Sequence, residues 1–180
     1  MTIDEIFSGI SQHMVEGLMF HSQLSDYFCF LGFKGYSAFH THQYFAESDN
    51  YKKIGNYYLH HFGKIIKESG FSNPKVIPDN WYNYKREDVD TATRKNSLQT
   101  GFDKWINWET DTLKLYSIMY KELITLNEVA AANMLRKIIK DVDNELALAK
   151  QEYLELKAIE FDLVEVISKQ EEKYDKYRRD

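Results

Sequence analysis

GFKGYSAFHTHQYFAESDNYKKIGNYYLHHFGKIIKESG, residues 32 to 70, is the stretch whose reading decides the fold. It carries four of the six histidines, His40, His42, His60 and His61, and holds no proline. Tyr44, Glu47, Tyr51, Ile54, Tyr58, His61 and Ile65 recur in steps of three and four, with Phe39, Phe45, Leu59, Phe62 and Ile66 beside them, so the spacing predicts a helix over roughly 38–69. Its apolar arc is wide, which is the pattern of a helix packed against several partners in a bundle or at a subunit interface. Gly32 and Gly35 place a short connection around 32–37, and Gly70 is the expected C-cap.

Upstream, Thr2 and Glu5 form a capping box at the head of a first helix. Its stripe runs Ile10, Met14, Gly17, His21, Leu24, Phe28 and Leu31. Downstream, both prolines fall within Pro74 to Pro78, inside a segment that reads as a long crossover over 71–91. A third helix over about 92–125 aligns Phe102, Trp105, Glu109, Thr112, Tyr116, Met119, Leu123 and Leu126. Thr125 and Glu128 suggest a second capping box, opening a fourth helix. That helix carries Ala131, Leu135, Ile138, Val142, Glu145, Ala149, Glu152, Leu156, Ile159, Leu163 and Val166, a rhythm that runs on into the tail. Two antiparallel hairpins, 1–70 and 92–175, joined by one long connection, make an all-α four-helix bundle in a single domain spanning 1–180.

An apolar fraction of 43% with 15% aromatics is enough for a buried core. The single cysteine, Cys29, excludes an internal disulfide and a Cys-type zinc site, and suits a reducing compartment, the cytoplasm by default. Between Phe28 and Phe30 it reads as a small buried residue. No run of about 20 apolar residues exists to span a bilayer. With a net charge of −5 and no Lys or Arg in residues 1–33, the chain lacks the basic surface that duplex DNA binding requires. No nucleophile motif and no glycine-rich phosphate loop is present.

The chemistry lies on the stripes. His21, His61, Glu109 and Glu145 occupy inward positions, where an imidazole or carboxylate is costly unless paired, protonated or bound to metal. Imidazole and carboxylate are also the ligands that iron and manganese take in bundle cores. The plainer reading is a set of core polar groups satisfied by neighbouring tyrosines and lysines. Tyr51, Tyr57 and Tyr58 read as packing. No Glu-x-x-His pair, the usual di-iron signature, occurs in the chain.

This organisation resembles the ferritin-like superfamily, and most closely its Dps, or mini-ferritin, branch. GYSAFHTHQYF (35–45) is similar to the Dps pattern of Gly, Phe, His and Phe, and puts His42 where Dps proteins carry a ferroxidase histidine. NEVAAANMLRKIIKDVDNELALAKQEYLEL (127–156) resembles the last bundle helix of Dps proteins and bacterial ferritins. By that resemblance Asp141 and Glu145 fall at or near the acidic ligands of helix four, and Glu109 near that of helix three. The pattern departs elsewhere. Tyr57 stands at the Dps aspartate position, His61 at its glutamate, Phe30 at its other histidine, and His21 near the ferritin helix-one glutamate.

The resemblance implies binding of iron or another divalent metal, a symmetric homo-oligomer, and a role in iron storage or detoxification, with a ferroxidase centre either substituted or lost. Two ligand sets follow from it. In the Dps arrangement His42 would meet a neighbour's His61 across a subunit interface; in the ferritin arrangement His21, Glu109 and Glu145 would share the centre of one bundle. The alternative is a metal-free bundle serving as an oligomeric structural or interaction module.

Overall fold

A computed structural model describes residues 1–67 and 70–178. Helix α1 (Ile3–Leu31) opens on the expected capping box, in which the Thr2 side chain accepts from the Glu5 N–H and the Glu5 carboxylate accepts from the Thr2 N–H. It closes on Gly32, whose φ of 93° is the left-handed cap conformation. Helix α2 (Lys34–Phe62) follows after only Gly32 and Phe33, so it begins four residues earlier than the sequence spacing predicts. It also ends earlier, on Gly63 (φ 65°), whose N–H donates to the Leu59 carbonyl. Ile65 is therefore outside the helix and 87% exposed. Glu68 and Ser69, the expected last turn, lie outside the described residues.

Helices α3 (Thr91–Thr125) and α4 (Val129–Ala158) form the second hairpin. Asp90 caps α3 by accepting from the Thr93 N–H. The expected Thr125/Glu128 capping box does not form: Thr125 still belongs to α3, its hydroxyl bonded back to the Lys121 carbonyl, and Asn127 turns the chain with a φ of 61°. The tail is not a continuation of α4. Glu160 and Phe161 adopt left-handed φ values of 52° and 53°, and Asp162 caps a separate helix α5 (Leu163–Tyr174) by accepting from the Val164 and Glu165 N–H groups. Leu163 and Val166 thus leave the α4 stripe, and Val166 is buried against the side of the bundle.

Within the connection, residues 70–90 include two short 3₁₀ turns, Asp79–Asn83 and Arg86–Asp88. Polar side chains of α1 hold it in sequence: Ser8 donates to the Lys67 carbonyl, Glu16 accepts from Ser72, and Gln23 bonds Asn73 and the Val76 N–H. From α3, Lys104 donates to the Val76 carbonyl at 2.6 Å.

The core divides into two apolar clusters. One gathers Phe20, Leu24, Phe28, Tyr36, Phe39, Phe102, Trp105, Ala149 and Leu156 with α5; the other gathers Phe7, Ile10, Met14, Ile54, Tyr58, Tyr116, Leu135 and Val142. Read along each helix, the gap between them falls at 15–19 and His21 on α1, 40–50 on α2, 109–112 on α3 and 145 on α4. A polar layer fills that gap.

Candidate metal centre

Each helix of the bundle contributes to the layer. His21 comes from α1, Glu109 from α3 and Glu145 from α4, and one ligand atom from each lies within 4.8 Å of the other two. His21 and Glu109 are buried, and Glu145 is half-buried. His21 Nε2 faces Glu109 Oε1 at 3.7 Å, beyond hydrogen-bonding distance, and that oxygen has no hydrogen-bond partner. Two donors each about 2.0–2.2 Å from one cation stand roughly 3–3.5 Å apart, so the gap is close to what an ion would span. The donor set, one imidazole nitrogen and two carboxylates, suits iron, manganese or zinc. The orphaned oxygen and the chemistry of the set therefore fit a divalent transition metal.

Two further residues belong to the layer. Glu47 of α2 lies over Gly17, where an added methyl group would make an ordinary 3.6 Å contact with its carboxyl carbon, and its Oε2 is buried without a hydrogen-bond partner. His40, also of α2, is fully enclosed, and its Nδ1 lies 3.1 Å from His21 Nδ1.

Burial dominates the electrostatics. It pushes the Glu47 carboxyl up to about 7. Glu145 rises to about 8, through burial and then the proximity of Glu47 and Asp141. Glu109 is held well above the carboxylate range by burial, Glu145 and Glu47; the Trp105 indole N–H, which lies near its carboxyl without completing a hydrogen bond, favours the charged form. Burial drives His21 down to about 3 and His40 well below the imidazole range. The layer is thus a set of carboxyls that resist ionisation together and imidazoles that resist protonation. A cation would reverse the first tendency without opposing the second.

A cleft of about 490 Å³ between α2 and α4 leads from the surface to this layer. Half-buried Glu47, Asn50 and Glu145 line it inside, and His42, Asp49 and Asp141 on the exposed side. Asn50 stands three residues after Glu47, the spacing at which di-iron bundles place histidine.

The two predicted sets fare differently within one chain. His21, Glu109 and Glu145 come together. His42 is exposed, its ring 4.8 Å from that of Tyr177, and His61 is exposed near the opposite end of α2, 3.7 Å from Glu128. Nineteen residues of helix separate them by about 28 Å, so they share no site inside one bundle. His61 is also not inward-facing, contrary to the stripe reading. Cys29 is exposed rather than buried.

Sequence reasoning missed His40 and Glu47 as site residues. Glu47 was visible on the α2 stripe between Tyr44 and Tyr51. His40 and His42 are two residues apart, hence about 200° apart around a helix, and only the rotation of α2 in the bundle decides which of them points inward.

Among solved structures the chain is similar, over nearly its whole length, to the ferritin of the archaeon Archaeoglobus fulgidus. A form of that ferritin closed by site-directed mutagenesis superposes with a TM-score of 0.75 at 16% identity, covering 96% of this chain and 95% of that one. Two structures of the open-pore ferritin of the same hyperthermophile give TM-scores of 0.74 and 0.75, also at 16% identity, with 94% of this chain and 93% of that one covered. The fold is therefore the ferritin-like antiparallel four-helix bundle with one long crossover. No protein-family model matches the sequence, and no curated protein matches it.

Proposed function

We propose that this chain is a ferritin-like binder of a divalent transition metal, iron in the first instance, held at the centre of the bundle by His21, Glu109 and Glu145 with Glu47 beside them. The observation that carries the reading is the convergence of one ligand atom each from His21, Glu109 and Glu145 within 4.8 Å, with Glu109 Oε1 facing His21 and making no hydrogen bond. Leaving such groups together in a largely buried layer costs stability, and a metal ion is a partner that would satisfy them together. Bound there, iron supplies Lewis acidity and one-electron redox capacity; the protein contributes the ligands, the aromatic walls that exclude water and the acidic cleft between α2 and α4.

Storage or detoxification of iron, within a homo-oligomer, is the role in keeping with the fold likeness and with the Dps resemblance of 35–45. A metal-free structural bundle is the second reading, favoured by Asn50, which replaces the expected histidine of a Glu-x-x-His pair with a weak ligand.

Calorimetry and elemental analysis with Mn(II), Zn(II) and anaerobic Fe(II) separate these readings. Stoichiometric binding is expected for the wild type, lost in Glu109→Ala with Glu145→Ala and kept in His42→Ala with His61→Ala. The reverse pattern would move the site to a subunit interface of the Dps kind. Absence of stoichiometric binding by the wild type would leave the structural module.

A further inference from the structure

His40 has no place in the ligand set, yet it is fully buried and contacts His21 directly. Two neutral imidazoles joined Nδ1 to Nδ1 hold one proton between them, so the bond has two forms. If His40 donates, His21 must carry its own proton on Nε2, facing Glu109, and cannot ligate through that atom. If His21 donates, its Nε2 presents a lone pair to Glu109 and Glu145. The surroundings of His40 decide between them. Its Nε2 has no hydrogen-bond partner; the ring of Phe28 stacks on its face at 5.5 Å, and those of Phe39 and Trp105 stand nearly perpendicular to it at 5.3 and 4.6 Å. Trp105 Nε1 is the one donor on those three rings, and it too is without a partner, so His40 Nε2 is not accepting from it. A ring edge bearing N–H is favoured among aromatic faces, whereas a nitrogen lone pair there is not. The perpendicular rings of Phe39 and Trp105 thus favour the form in which His40 keeps its proton on Nε2 and accepts on Nδ1.

We propose that His40 is a positioning residue for the metal centre: by accepting the Nδ1 proton of His21 it holds that imidazole in the tautomer whose Nε2 lone pair faces Glu109 and Glu145. The role rests on the metal-binding reading above and assigns to His40 the outer partner that metal-ligating histidines generally have.

Two measurements on the full chain test it. Nitrogen-15 NMR of the metal-free protein is expected to show His21 protonated on Nδ1; protonation on Nε2 would overturn the proposal. Zinc titration by calorimetry is expected to show binding weakened about 10–100-fold in His40→Phe, and much less in His40→Gln, whose amide oxygen can accept the same proton. Circular dichroism establishes whether each variant folds; if His40→Phe does not, the tautomer measurement still decides. Wild type and His40→Phe binding zinc equally well would remove the positioning role and leave the metal centre standing. A wild type that binds no zinc would remove both.

Discussion

His21 and Glu109 face each other across the bundle at 3.7 Å without a hydrogen bond between them, in a layer walled by Phe20, Trp105 and Tyr116. The two helices that carry them are packed tightly above and below this gap. The cost of an unsatisfied pair is therefore set by the surrounding core.

That cost is measurable. Glu109 has its folded carboxyl pKa raised by burial and by Glu145 and Glu47, so at neutral pH it stays neutral, or ionises, at the expense of folding. Glu109→Gln removes the ionisable group while keeping its shape. In chelator at pH 7.5 the variant is expected to be more stable than the wild type by roughly 1–3 kcal/mol in urea unfolding. It is also expected to lose the stabilisation that the wild type gains from metal. A metal-free variant less stable than the wild type would show that Glu109 is already well satisfied.

Acid weakens the fold through His13. This ring stacks on Trp108 with centroids 4.8 Å apart and bonds Thr112 Oγ1 at 2.7 Å, and its burial lowers its pKa, partly offset by Glu16. The unfolded chain takes up a proton near pH 6.5 that the folded one refuses. The contribution is thus complete above pH 6.5 and lost as the pH falls towards the folded pKa, at up to about 1.4 kcal/mol per pH unit. Comparing urea midpoints at pH 7.5 and 5.5 for wild type and His13→Gln isolates this group, and the variant's stability should fall less. Equal changes in the two proteins would mean that His13 is not protonation-linked to folding.

Helix α5 is docked through Gly35. A β-carbon at that position would overlap the Gln170 carbonyl, and the Gln170 side chain accepts from the Tyr36 N–H at 3.1 Å. Nearby, the buried Glu152 accepts from Tyr36 and Lys173. Gly35→Ala is expected to lift α5 from the bundle, lowering stability by about 1–3 kcal/mol and opening the 159–162 turn to protease. Unchanged melting and digestion would mean that α5 adjusts without loss.

Assembly is expected through the first hairpin, because Tyr44 and Leu59 remain 37% and 45% exposed on α2. Light scattering at tens of micromolar, an order-of-magnitude working concentration for interfaces of standard size, should show a species larger than a monomer. Leu59→Arg should shift it towards the monomer without lowering the melting temperature of the bundle. A wild-type monomer would exclude this interface.

Local chemistry made much of this molecule legible. Thr2 with Glu5, the left-handed Gly32, the paired prolines of the crossover and the three-four stripes all act within a turn or two of chain. Their consequences, where α1 starts and stops and which segments are helical, do not depend on distant partners. His21 and Glu109 were visible as polar interruptions of apolar stripes for the same reason. The ends of α2 and α4 were less legible, because Gly63 and Gly70 are both competent caps and because the α4 rhythm persists across the Glu160–Phe161 break.

Only the tertiary structure decided which polar residues meet. Whether His40 or His42 points inward depends on the rotation of α2, and whether His21, Glu47, Glu109 and Glu145 stand at one level depends on how far each helix slides along its neighbours. Periodicity defines a face but neither a rotation relative to a partner nor a height along the axis. Those two quantities are set by the packing of Phe28, Phe39, Phe102 and Trp105 on one side of the layer and of Met14, Ile54, Tyr116 and Val142 on the other. The sequence alone determined a four-helix bundle with ionisable groups in its core; interdigitation of those two clusters, a property of side-chain volumes from four separate segments, determined that the groups form one site.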